Sequence, residues 1–203
     1  MSFLDSIISN LMGSARRKAS KTVNQAVNTT VNNVKKLANE KHEFTFEAIP
    51  ATLSELQALP EASLDDPFKT TALAVLVLCL YEQDKKTMFE MLDFLNGPDD
   101  VSTYTKNFIS ERLDGKAYKA FSFFKGATPA NSYKPEVPYK ITVTSNPYSF
   151  KEENRAILYV QSSGADAPRG ITLRKKPSTG QWFVNDIQIL SDIRIPASED
   201  EWA

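Results

Sequence analysis

The side chains able to do chemistry in this chain are few and poorly placed for it. His42 is the single histidine and Cys79 the single cysteine among 203 residues. A Ser–His–acid triad would have to use His42, which stands next to a charged stretch and reads as a solvated or capping histidine. Cys79 lies inside an apolar run, where a free thiol behaves as a small buried hydrophobe. A reactive thiolate would need a positive neighbour that this run does not supply. One Cys and one His also exclude an internal disulfide and a four-ligand Cys/His zinc site. Paired carboxylates at Asp65/Asp66, Asp99/Asp100 and Glu152/Glu153 could share a proton or hold a metal ion. Each pair flanks a helix start or a turn, however, where acidic residues serve as caps and complement the helix dipole. No Gly-x-x-x-x-Gly-Lys-Ser/Thr, Gly-x-Gly-x-x-Gly or Gly-x-Ser-x-Gly pattern occurs, so the common phosphate cradles and the hydrolase elbow are missing. No catalytic residue, cofactor or metal ligand is expected, and the chain reads as a non-enzyme.

Binding chemistry is better represented. Asp192, Glu199, Asp200 and Glu201 surround Trp202 near the end of the sequence. Acidic clusters are usually solvated, but tryptophan is enriched in binding hot spots and buries a large area. Residues 195–202 are expected to dock as a peptide, on their own domain or on a neighbouring subunit whose basic helix complements them. Arg169, Arg174, Lys175 and Lys176, with Tyr159, Trp182 and Phe183 nearby, could form a face for single-stranded nucleic acid. The negative balance of the surrounding sequence opposes phosphate, and lysines near a strand edge protect against aggregation. Nucleic acid is therefore not an expected partner.

The elements that must position these groups change character at about residue 42. Residues 1–41 carry seven Lys and Arg against Asp5 and Glu40, a balance of +5; the whole chain is −1, so residues 42–203 hold −6. Phe3, Leu4, Ile7, Ile8, Leu11 and Met12 fall at helical spacing. After Gly13 and Ser14 the pattern resumes with Val23, Val27, Thr30, Val34 and Leu37, a 4-3-4-3 heptad seam. Val23, Val27, Val31, Val34 and Ala38 fit an 11-residue period equally well. A long basic amphipathic helix is predicted, with Leu4, Ile8, Leu11, Val23, Val27, Val34 and Leu37 as its interaction residues. Three uses are open: self-association, adsorption to an anionic membrane through residues 1–21, or a tether folded against its own domain. The longest apolar run, residues 72–81, is too short for a membrane span of about 20 residues. The N-terminal pattern is not secretory either, since Asp5 interrupts the apolar start and Arg16-Arg17-Lys18 follows the apolar patch. A cytoplasmic protein, peripheral to the membrane at most, is expected.

Residues 42–203 predict a single α+β domain with an acidic tail. Residues 42–48 alternate as a half-buried strand that Pro50 ends. Thr52-Leu-Ser-Glu55 reads as a capping box, and Asp66-Pro67 as the start of an apolar helix over 68–81. Asp84 caps a third helix that Asn96-Gly97-Pro98 stops, and Ser102 a fourth that Gly115 closes. From residue 118 the period switches to two. Strands are predicted at 118–124, 139–145, 156–163, 170–176 and 181–190, with Pro177-Ser-Thr-Gly180 as a hairpin loop. About four helices packed on an antiparallel β-meander follow from that order.

Several blocks are familiar together: Phe89-Glu-Met-Leu-Asp-Phe-Leu-Asn-Gly-Pro98, Phe124-Lys-Gly-Ala-Thr-Pro-Ala-Asn-Ser-Tyr133, Tyr139-Lys-Ile-Thr-Val143, Asn146-Pro-Tyr148, and Ser191-Asp-Ile-Arg-Ile-Pro196 through Trp202. Over roughly residues 68–203 the chain resembles a bacterial family, common in Firmicutes, catalogued as a domain of unknown function. The resemblance implies no activity, cofactor or catalytic residue. The expected function is a non-enzymatic assembly or adaptor protein, with the N-terminal helix for self-association or attachment and the α+β domain for a partner. The alternatives are a peripheral membrane-binding protein, or a small-ligand or enzymatic domain similar to cone-shaped folds of the nuclear-transport-factor-like type. A deep pocket with converging polar side chains would favour that last reading.

Overall fold

The computed structural model describes residues 39–202. Leu4, Ile8, Leu11, Val23, Val27, Val34 and Leu37 lie outside the described residues, as does nearly all of the predicted N-terminal helix. At its inner boundary the structure differs from that prediction, for Lys41 already belongs to a strand.

The predicted start and stop signals operate as read. Strand β1, Lys41–Phe46, alternates in burial and ends before Pro50. Helix α1, Leu53–Ala58, is capped by Thr52, whose hydroxyl accepts from the Glu55 amide at 3.2 Å. The Glu55 carboxylate reaches back one residue further than a standard capping box, to the Ala51 amide at 2.8 Å. Helix α2, Pro67–Leu78, opens on Asp66, which accepts from the Phe68 amide at 2.8 Å. All of its residues except Lys69 are buried, because it is apolar on every face and has protein on every side. Its two hydroxyls are satisfied: Thr71 donates to the Pro67 carbonyl, and Thr70 is shared between those of Asp66 and Trp182. Helix α3, Lys85–Asn96, is capped by Asp84 and ended by Gly97 at φ 97°. Helix α4, Thr103–Leu113, is capped by Ser102 and followed by Gly115 at φ 65°.

One predicted strand is a helix. Residues 118–124 fold as a short helix α5, Tyr118–Phe121, followed by a turn, with local bonds such as Ser122 N–H to the Tyr118 carbonyl at 2.9 Å. The alternation of a seven-residue aromatic run is compatible with either period, so contact with the core decides. Here Ala120, Phe123 and Phe124 point into the core, and only Phe124 forms a bridge to the sheet, opposite Ile141.

The other strands form as expected: β2 Tyr139–Thr144, β3 Arg155–Val160, β4 Arg169–Lys175 and β5 Trp182–Ile187. With β1 they make one five-stranded sheet in sequence order, each neighbour antiparallel. Two irregularities shape it. β2 pairs with β3 only at Val143–Val160 and Thr144–Tyr159, while its other half bonds to the Phe124–Lys125 segment. In β5 a bulge leaves Asn185 without an opposite residue, since Thr172 faces Asp186 and Leu173 faces Val184.

Helix α2 packs against all five strands. The imidazole of His42 on β1 stacks on Phe68 at 4.1 Å between centroids, and the Trp182 carbonyl of β5 accepts from Thr70 at 3.1 Å. A flat sheet would hold its first and fifth strands about 19 Å apart. Both meet the first turn of α2, so the sheet coils around this end of the helix. The sequence of rings His42, Phe68, Phe150 and Trp182 fills the gap between the two edges. One hydrophobic cluster runs from Phe46 to Ile193, with α2 at its centre.

Candidate functional site

Several polar groups converge at a cleft between the α3–α4 connection and β5. Its volume is about 210 Å³, with Leu92, Ile109, Val184 and Ile187 as an apolar floor. Asp99, Asp100, Ser102, Thr105, Arg174, Asn185 and Asp186 form the rim. Gly97 makes this geometry possible. Its φ of 97° suits glycine, and a Cβ there would lie 2.8 Å from the Phe183 ring. The chain turns on that ring and returns along the cleft. Arg174 then ties the turn to the sheet, donating to the Asn96 carbonyl at 3.2 Å and to Asp99 Oδ2 at 3.3 Å. Asp93 holds the other side, accepting from the Val101 amide at 2.8 Å and from Lys106 Nζ at 2.9 Å.

The rim groups are thus mostly occupied in building the connection. The cleft is smaller than the roughly 300–1,000 Å³ of a small-molecule pocket. It contains no nucleophile–base pair, and no group of three or more His, Cys, Asp or Glu side chains that could hold a metal ion occurs among the described residues. The arrangement can hydrogen-bond a small polar group but holds no reactive pair. Two shallower hollows open on the sheet: one of about 370 Å³ beside Tyr148, Arg155 and Ile157, and one of about 390 Å³ at the β2–β3 split.

The residues singled out from the sequence are dispersed. His42 is bonded to Glu40 at 2.9 Å and stacked on Phe68, a packed ring at the sheet edge. Cys79 ends α2 with its sulfur near the Val75 carbonyl, and burial pushes its thiol far above the ordinary range, which makes it inert. Asp66 is a cap, whereas the Lys69 ammonium beside Asp65, with the Ser63 hydroxyl, holds the Asp65 carboxyl below its usual value. Glu152 pairs with Arg155 at 3.5 Å. Of the paired carboxylates only Asp99 and Asp100 reach the cleft, where Arg174 joins them. Asn185 and Asp186 were not singled out, yet two polar residues in succession inside an apolar strand break the alternation and signal the bulge that carries them to the rim.

The basic set divides. Arg169 sits at one end of β4, donating to the Asp192 carbonyl at 3.0 Å, while Arg174, Lys175 and Lys176 lie at the other. The tail is held near its root. Arg194 N–H donates to the Gly164 carbonyl at 3.0 Å, Tyr133 Oη to the Arg194 carbonyl at 2.7 Å, and Ser198 and Ser132 share a bond of 3.2 Å. Ile193 and Pro196 are buried, but Trp202 is 94% exposed.

Taken together these features define an α+β protein, a meander coiled around one buried helix, with shallow clefts on the surface of the described residues. The chain belongs to the family DUF6935, described as a domain of unknown function, whose model matches residues 48–197. No curated protein and no solved structure matches the chain. Among the described residues no helix is long and apolar enough to cross a membrane.

Proposed function

We propose that the chain is a non-enzymatic assembly or adaptor protein of the bacterial cytoplasm. In this reading residues 1–41 mediate self-association or attachment, and the α+β region presents the face that meets a partner. The observation that carries it is the filled interior. A cone-shaped ligand-binding or enzymatic domain needs an open concavity, and here the side chains of α2, Leu73, Leu76 and Val77 among them, occupy that space with no exposure. The exposed Trp202, a residue type enriched in binding hot spots, supports binding over turnover.

The test is the solution mass of the full chain by light scattering after gel filtration, beside a Val27→Asp/Val34→Asp variant. The expected result is an oligomer for the wild type and a smaller species for the variant. A wild-type monomer would overturn self-association, and the basic segment would then be assayed for binding to anionic vesicles.

A further inference from the structure

At the end of β4 remote from the tail, Pro98, Pro177 and Phe183 line a groove of about 260 Å³ edged by Arg174, Lys175 and Lys176. Three features bear on what it could hold. Its floor is rigid, because two prolines and a 9% exposed phenylalanine seated on Gly97 leave little freedom to collapse. Its rim is cationic and partly unneutralised. Arg174 is paired with Asp99, but among the described residues neither Lys175 nor Lys176 has a carboxylate within salt-bridge distance. The Lys175 ammonium lies instead over the Trp182 ring at 5.7 Å. Finally, the volume is below that of a small-molecule site and matches one large side chain.

The chain carries a segment of the complementary kind. Among the described residues Trp202 is the most exposed large hydrophobic one, and Glu199, Asp200 and Glu201 directly precede it with no cationic partner there. In its own chain it does not fill the groove, since Trp202 stays 94% exposed. Ser198 is fixed to Ser132, beside the β3–β4 connection. The four residues beyond it span at most about 14 Å, short of the roughly 20 Å covered by β4 alone.

We propose that this groove receives the acidic C-terminal tail of a second copy, with the Trp202 indole on Pro98, Pro177 and Phe183 and residues 199–201 against Lys175 and Lys176. The contact joins opposite ends of two protomers. It rests on the assembly reading only in taking a second copy as the partner, and it uses no residue before Pro98.

A labelled peptide of residues 195–203 titrated with full-length Trp202→Ala protein, in which the tails of other copies no longer compete, tests this by fluorescence anisotropy. Saturable binding is expected. It should weaken at least tenfold when the receptor carries Lys175→Glu/Lys176→Glu or the peptide carries Trp202→Ala, and it should weaken as salt is raised. A peptide with Lys at 199, 200 and 201 should recover binding to the Lys175→Glu/Lys176→Glu receptor. Lys176 is exposed and Lys175 half-buried, and the melting curve of the double variant verifies that it keeps its fold. No binding, or binding indifferent to the lysine substitutions, overturns the proposal. The peptide assay reads single protomers, whereas the Val27/Val34 experiment reads mass, so either proposal can fail while the other stands.

Discussion

Gly164 shows how closely single residues are fitted where the tail root meets the domain. A Cβ at this position would collide with Tyr133 Oη and come within 2.9 Å of Ile193 Cγ2. Tyr133 cannot retreat, because it donates to the Arg194 carbonyl and stacks on Tyr118 at 5.3 Å. Gly164→Ala should therefore destabilise the protein by about 1–3 kcal/mol through overpacking, read from the urea midpoint; an unchanged midpoint would show that the contact is loose. Asp84 makes a different kind of statement. The Thr87 amide and then the Thr87 hydroxyl donate to its carboxylate and hold its pKa below the ordinary value. A group depressed in the folded state contributes stability above its unfolded pKa of about 3.9 and loses it as pH falls through the folded value. Asp84→Asn should accordingly flatten the drop in melting temperature between about pH 5 and pH 2. Parallel melting curves for the two proteins across that window would exclude Asp84 as a contributor.

At the scale of elements, α2 is the centre of the structure. Its apolar sequence has no polar face to present to water, and burial by all five strands together with α3 and α5 resolves that. Leu76 is fully buried, so Leu76→Ala should cost about 2–5 kcal/mol, measured by urea denaturation. A cost well under 1 kcal/mol would mean that the helix is not the packed centre. The caps at Thr52, Asp66, Asp84 and Ser102 were readable from sequence because capping is local: the side chain and the amide it accepts from are two or three residues apart. The strand predicted at 118–124 failed for the converse reason. Nothing local distinguishes a half-buried aromatic strand from a single helical turn, and the choice is made by where Phe123 and Phe124 find the core.

For the whole molecule, the two proposed associations use separate surfaces. One belongs to residues 1–41 with their balance of +5, the other to a cationic groove and an acidic tail within a region of −6. A patch and its complement at opposite ends of one chain give a heterologous contact, which closes only if two copies exchange tails or a ring forms. The Lys175/Lys176 and Trp202 variants therefore bear on the architecture of any assembly, and the Val27/Val34 variant on its existence.

What the sequence determined by itself were the local and periodic features: the α+β class, the capped helix starts, the Gly97 and Gly115 stops, the meander of β2 to β5 and the hairpin at residues 177–180. Each follows from steric or hydrogen-bonding preferences acting over a few residues, or from the period of the apolar pattern. The tertiary structure decided what depends on long-range packing. It coiled the sheet until β1 and β5 met the same turn of α2, and it filled with that helix the space a ligand would need. It separated Arg169 from Arg174 to Lys176 along β4, and it assembled Pro98, Pro177 and Phe183 into one groove. No local preference specifies these, because the groups that meet are up to 140 residues apart, as His42 and Trp182 are around Phe68 and Thr70, and only the closing of a common core brings them together.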